Sequence, residues 1–299
     1  MGQGLLFALV RDGAEVWRAY GSDPGGLPEG RRVWVESVSG WMGEPGPART
    51  DGRTSRLAGG SIPLRRVGLD GRTITLSGWA EPPSDTDIDG WALAQPGRIF
   101  PSDQDPHELV LWSRGHGVDV HALVELDGQC TFRPDHGTGL VDWQIPLHAP
   151  DVYLLGDETS ALVHNSVDGV GLLWPLFDSD PPALQWGEAA EDLAEPLRNP
   201  GSVAVYPTVT VSGNALSGVR LSDGAGHTVT FTGACTYASP VVIDFGAGTA
   251  RRGTADFSAQ LTGRGFWQVP AGGVVLPVAE SLQSGTTVQA DFRLTPRYL

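Results

Sequence analysis

The chain is predicted to be mainly β and divided into two domains, and three observations carry that prediction. Apolar and polar residues alternate with period two along most of the sequence. The 299 residues include 41 Gly and 23 Pro, a composition that suits short strands joined by tight turns and suits long helices poorly. At roughly 150 residues per domain, the length accommodates two. Hydrophobic residues make up 40% and charged residues 18%, so the chain has the means to build a core and lacks the signature of disorder.

Taken in order, the apolar run from Leu5 to Val10 reads as a buried first strand, since no basic leader or small-residue cleavage site accompanies it. Arg32 to Glu36 reads as a second strand. Residues 37–61 then lack a core pattern for about 25 residues, a length that favours a functional loop over a simple connector. Ile62 to Gly68 and Arg72 to Trp79 flank Asp70-Gly71, which predicts a hairpin because Asp-Gly supplies the positive φ angles of a two-residue turn. One helix is expected over 85–95, capped by Asp85, with Ile88, Trp91 and Leu93 on one face. Strands resume at Glu108–Ser113, Val118–Leu126, Cys130–Arg133 and Val141–Leu147. Trp79, Trp112 and Trp143 fall at apolar strand positions and are expected to be buried.

Residues 156–198 change character, with Gly171-Leu-Leu-Trp-Pro-Leu-Phe177 followed by an acidic, Ala-rich stretch, and read as a linker with one docked apolar segment. From Asn199 to Leu299 the pattern is purely β. Val203, Val205, Val209 and Val211 alternate with polar residues, as do Val288, Ala290, Phe292 and Leu294. His227–Thr232, Pro240–Phe245, Asp256–Leu261, Phe266–Val269 and Val274–Val278 lie between them, which predicts a β-sandwich.

Composition excludes several chemistries. All 20 basic residues are Arg, so a P-loop, a kinase site and Schiff-base catalysis have no lysine to use, and Asp244-Phe245-Gly246 matches a kinase triplet only by accident. The net charge of −15 disfavours sequence-independent nucleic-acid binding and docking on anionic lipid. No apolar run is long enough to span a bilayer. Cys130 and Cys235 are expected to be buried free thiols of a reducing compartment.

Local motifs for chemistry are weak. Asp85-Thr-Asp-Ile-Asp-Gly90 matches the first half of a calcium loop, but the twelfth position is Pro96 instead of Glu, so helix capping is the better reading. His116 and His121 flank Asp119, too few ligands for a metal. Gly-x-Ser-x-Gly is absent, and no local triad presents itself. Paired carboxylates for glycoside hydrolysis meet only in a fold and stay open at this point. No catalytic residue, cofactor or metal is assigned.

The order of motifs resembles a known family. Asn199-Pro-Gly-Ser-Val-Ala-Val-Tyr-Pro207, running into Thr208-Val-Thr-Val-Ser-Gly213, resembles the start of the C-terminal domain of phage distal tail proteins, minor tail proteins of long-tailed siphoviruses. Val241-Val-Ile-Asp244, Arg251-Arg-Gly253, Phe266-Trp-Gln-Val-Pro-Ala-Gly272 and the strand from Thr286 to Leu294 continue the match. In the first half, Ser39-Gly-Trp41, Gly59-Gly60, Arg72-Thr-Ile-Thr-Leu-Ser-Gly78 and Trp143 to Asp151 are similar to the family's N-terminal domain. The absence of Lys beside abundant Gly, Ala and Arg suggests a high-GC genome, such as that of a phage of actinobacteria.

The resemblance implies a tail-tube-like β-barrel or sandwich with one short helix over residues 1–155, a linker over 156–198, and a galectin-like β-sandwich over 199–299. It further implies a structural virion protein at the tail tip, assembled in the host cytoplasm as a homohexameric ring. The ring would join the tail tube to the tip or baseplate, with tail tube, tape measure and hub or tip proteins as partners. Genomic DNA would pass without specific binding, since an acidic lumen repels phosphates. The loop at 37–61 is placed to reach a neighbouring subunit through Trp41, Met42, Arg49, Arg53, Arg56 and Leu57, with Trp41 as anchor, since aromatic and Arg residues dominate interfaces. An alternative is a carbohydrate-binding module for host-surface glycans, although the galectin sugar motif of His, Asn and Arg around a Trp is not visible between Asn199 and Leu299.

Overall fold

The computed structural model describes residues 6–21, 33–42, 54–55, 60–61, 71–84, 86–100, 109–115, 118–165, 195–283 and 285–299. The fold is mainly β. Internal packing divides the chain into Met1–Gly156 with Tyr298–Leu299, and Asp157–Arg297.

The first unit opens with a hairpin. Strands β1 (Leu6–Arg11) and β2 (Ala14–Gly21) are joined by Asp12-Gly13, with φ of 48° and 80°. Positive φ at both central residues is what a tight hairpin turn needs. The chain continues through β3 (Val33–Ser39), the short β4 (Thr54–Ser55) and β5 (Gly60–Ser61), and β6 (Arg72–Ala80). Helix α1 (Ile88–Ile99) is followed by β7 (Leu109–Arg114), β8 (Val120–Leu123), β9 (Glu125–Leu126), β10 (Thr131–Asp135), β11 (Leu140–Ala149) and β12 (Leu154–Gly156). The main sheet runs β10-β11-β6-β3-β2-β1-β7-β8-β12, then Arg297–Tyr298 as its last strand, and β9 pairs with β11. Among the described residues the sheet stays open.

Of the expected hairpin between 62–68 and 72–79, the first arm and Asp70 lie outside the described residues. Among the described residues β6 pairs along one edge with β3, over Thr75–Ala80, and along the other with β11 over nine residues. Both partners are distant in sequence. Alternation places Phe7, Leu9, Trp17, Ile74, Leu76, Leu111, Trp143, Ile145 and Leu147 in one core. Trp17 and Trp143 meet edge to face at 4.7 Å.

The helix starts and ends three to four residues later than the pattern predicts. Asp87 is its N-cap and accepts a 2.9 Å hydrogen bond from the Gly90 backbone, while Asp85 lies outside the described residues. Ala92, Gln95 and Ile99 form the buried face, and Leu93, expected on that face, is 81% exposed. Pro96 is accommodated inside the helix, one turn before its end.

The second unit is a two-sheet sandwich around a single core. One sheet runs β13 (Thr159–His164), β25 (Val288–Leu294), β15 (Thr208–Ala215), β19 (Val241–Asp244), β20 (Thr249–Arg252) and β21 (Ala255–Asp256), with β18 (Cys235–Thr236) on β15. The other runs β22 (Leu261–Arg264), β17 (Thr228–Phe231), β16 (Val219–Ser222) and β24 (Val278–Ser281). Separately, β14 (Leu197–Arg198) pairs with β23 (Val274–Val275). Completing the count, β26 is the terminal Arg297–Tyr298 strand.

The alternation in β15 and β25 is realised as read: Val209, Val211, Val288, Ala290, Phe292 and Leu294 are all buried. Two details differ. Ser258–Gln260 is a turn of 3-10 helix between β21 and β22, and only Val269 of the 266–269 segment bridges, to Val205. Residues 159–164, read as the start of a linker, form an edge strand paired to β25 over six residues. Residues 166–194, with the apolar segment at 171–177, lie outside the described residues.

Asn199 shows why its motif begins this unit. Its buried amide donates to the carbonyls of Val203 at 2.8 Å and Val269 at 3.0 Å, and its Oδ1 accepts from Gly201 N at 3.0 Å. It ties the entering chain to the 269 bridge. Cys130 is a half-buried free thiol in the first unit and Cys235 a buried one in the second. Burial pushes the Cys235 thiol up to about 11, partly opposed by the positive charge of Arg252.

Candidate functional site

The exit of the chain from β3 is well defined. Ser39 ends β3, and Gly40 turns the chain with φ of +74°. A Cβ at Gly40 would stand 1.9 Å from the Thr73 carbonyl oxygen, so the turn requires glycine on two counts.

Trp41 then inserts into its own unit's core, 1% exposed and edge-on to Phe7 at 6.0 Å. As an anchor reaching into a neighbour it would have to be outward-facing, and it is not. Met42, the next residue, is 75% exposed. Arg49, Arg53, Arg56 and Leu57 lie outside the described residues.

The loop's base is held by Arg72, at the start of β6. This residue is 3% exposed, and burial lowers the pKa of its guanidinium. Nε donates to the Val152 carbonyl at 2.6 Å and Nη1 to the Trp41 carbonyl at 3.1 Å. The charge is thus used on backbone oxygens, which fix where the loop leaves and where the β11–β12 turn lies.

The face of the sheet opposite the core presents a second feature. Register places Leu6, Tyr20, Trp34 and Trp79 in one row across β1, β2, β3 and β6. Trp34 and Trp79 stack at 4.2 Å. Trp112 stacks on His121 at 4.1 Å, with the Arg114 guanidinium 5.0 Å from the Trp112 ring. Trp79 and Trp112 are therefore half-buried, not core residues as their strand positions suggested. Period two alone does not say which of two faces a strand buries. Glu15 holds Arg18 on the same face at 2.7 Å through Nε.

Trp34 itself is buried, so what this face offers another protein surface is the half-buried rings of Tyr20, Trp79 and Trp112 with the guanidinium groups of Arg18 and Arg114. Of the residues weighed for a metal, Asp119 accepts from Gly115 N at 3.3 Å and His116 lies outside the described residues; among the described residues no group of three or more His, Cys, Asp or Glu could hold an ion. No helix among the described residues is long and apolar enough to cross a membrane.

No family model matches the chain, and no curated protein matches it in sequence. Among solved structures it is similar to the Dit protein of phage SPP1, described as a paradigm of the hub adsorption apparatus in phages that infect Gram-positive bacteria. That likeness covers 98% of this chain and 99% of the other, at 12% identity and a TM-score of 0.56. It also matches chains of the phage P2 baseplate in its activated conformation, with calcium at 10% identity and a TM-score of 0.40, and with strontium at 9% and 0.38. These cover 97% of this chain, and 97% and 98% of theirs. At these identities the likeness to SPP1 Dit shows a shared fold running through both units.

Proposed function

We propose that this protein is a structural component of a phage tail tip, a distal tail protein whose first unit builds a homohexameric ring between the tail tube and the tip or baseplate. Its partners are then the tail tube, tape measure and hub or tip proteins, and DNA passes through the ring without specific binding. The observation that carries this reading is the fold shared with SPP1 Dit along the whole of both chains. A net charge of −15, multiplied by a ring, supports passage of a polyanion without adhesion. A closed ring needs a heterologous contact. Two candidates for it are the segment after Met42, which the sequence reads as a functional loop, and the aromatic face of the first sheet.

Native mass spectrometry and negative-stain electron microscopy of the purified protein test this directly. Sixfold or stacked-ring species are expected. A strictly monomeric protein at high concentration, present as one copy per virion, would overturn the proposal.

A further inference from the structure

The second unit carries a groove of about 970 Å³, at the upper end of the size range of small-ligand sites. Tyr206, Phe266, Trp267, Gln268, Asp223 and His227 line it. Its apolar wall is fixed from behind. Phe245, 2% exposed, lies 5.4 Å from the Phe266 ring and 4.6 Å from the Trp267 ring, so both are held before any ligand arrives. Tyr206 stands beside them with 43% of its surface exposed.

The polar wall is just as well built. The Asp223 side chain is 8% exposed. Its Oδ1 accepts the backbone N–H groups of Ala225 at 2.8 Å and His227 at 3.0 Å, and its Oδ2 meets His227 Nδ1 at 2.6 Å. The carboxylate is therefore fully engaged within the turn. It orients the imidazole, places the proton on Nδ1, and leaves Nε2 as the ring nitrogen available to a ligand. The His227 side chain itself is 62% exposed.

These two walls select a ligand class. No Arg lines the groove among the described residues, so a phosphate, sulfate or acidic sugar would meet a carboxylate and no guanidinium. A purely apolar ligand would leave His227 Nε2 and the Gln268 amide without a hydrogen bond to the ligand. A molecule with apolar C–H faces and hydroxyl edges satisfies both walls. We propose that the groove binds a neutral saccharide, with a pyranose ring resting on Tyr206 and Phe266 and its hydroxyls hydrogen-bonded to His227 Nε2 and Gln268. This site belongs to the second unit alone and does not depend on ring assembly.

Saturation-transfer NMR and titration calorimetry on the full chain test it, with cellotriose, maltotriose, chitotriose and rhamnose as probes. At least one is expected to bind with a dissociation constant in the millimolar range or tighter. Tyr206→Ala and His227→Ala should each weaken that binding by about tenfold. Tyr237→Ala, at a tyrosine outside the groove, should not. Should Tyr206→Ala fail to fold, His227→Ala at its exposed position decides the matter. Absence of binding by all four sugars, or binding unchanged in a folded His227→Ala protein, would overturn the proposal. So would a proline-rich peptide that saturates the groove where the sugars do not.

Discussion

Arg72 and Trp41 hold each other in place across 31 residues of sequence: the buried guanidinium donates through Nη1 to the Trp41 carbonyl, while the indole fills the core beside Phe7. Through Nε the same side chain reaches the Val152 carbonyl, so one cation joins the loop exit to the turn after β11. Arg72→Ala would strand both carbonyls in a site too closed for free hydration. A loss of about 3 kcal/mol in the first unit's stability is expected. Arg72→Lys should recover only part of it, because a point donor does not reach both oxygens at once. Urea denaturation followed by Trp fluorescence measures both.

Adjacent residues at the loop exit should behave oppositely. Trp41→Ala empties a fully buried aromatic site and is expected to cost about 3–5 kcal/mol. Met42 is exposed, so Met42→Asp should leave the unfolding midpoint within about 0.5 kcal/mol of the parent. If the loop forms the ring contact, Met42→Asp should nonetheless reduce the fraction of ring species in native mass spectra. An unchanged ring fraction would move the contact to the aromatic sheet face.

Where the sequence was legible, the signal was local. The alternations of β15 and β25, the capping potential of the Asp-rich run before α1, and Cys130 and Cys235 as free thiols follow from patterns that need no distant partner. Apart from the helix, where Leu93 was expected on the buried face and is exposed, the misreadings are non-local. Nothing near β6 announces that its partners are the distant β3 and β11. The Asp12-Gly13 turn, by contrast a local signal, closes the β1–β2 hairpin. Trp143, Trp79 and Trp112 all fall at apolar strand positions, yet one fills the core and two lie half-buried on the opposite face, because register assigns the face. The groove in the second unit had no linear signature at all. Its Tyr206, Asp223, His227 and Phe266 come from three separate loops.

The Asp223 turn should give the second unit a specific acid sensitivity. Burial works to raise the pKa of this carboxyl, and the hydrogen bonds from His227 and the backbone N–H groups of Ala225 and His227 outweigh it, so the folded value lies below the ordinary 3.8. A depressed folded value means stability that is complete above the unfolded pKa and lost as pH falls through the folded one. The stability gap between the parent and Asp223→Asn should therefore be widest at neutral pH and close below pH 3.8. Urea titrations across that range check it. A gap that widens on acidification would reverse the assignment.

The boundary of the second unit can be tested by cutting the chain at two places. A fragment of residues 157–297 keeps every residue of its core cluster, including Ala161 and Val163, which β13 contributes at 0% and 1% exposure. A fragment starting at Asn199 loses β13 and with it the whole six-residue ladder to β25. It also loses Asn165, whose side chain donates to the Thr286 carbonyl at 2.7 Å and accepts from Val288 N at 2.8 Å, closing the end of that ladder. Burial of Val163 and the two hydrogen bonds of Asn165 together account for about 3 kcal/mol. Removing them also bares the β25 edge, beside core residues Val288, Ala290 and Phe292, to pairing with other chains. The longer fragment should fold cooperatively as a monomer. The 199–299 fragment should melt at least about 10 °C lower and aggregate on heating. Differential scanning calorimetry with light scattering distinguishes the two, and equal melting temperatures would show that β13 is dispensable to the sandwich.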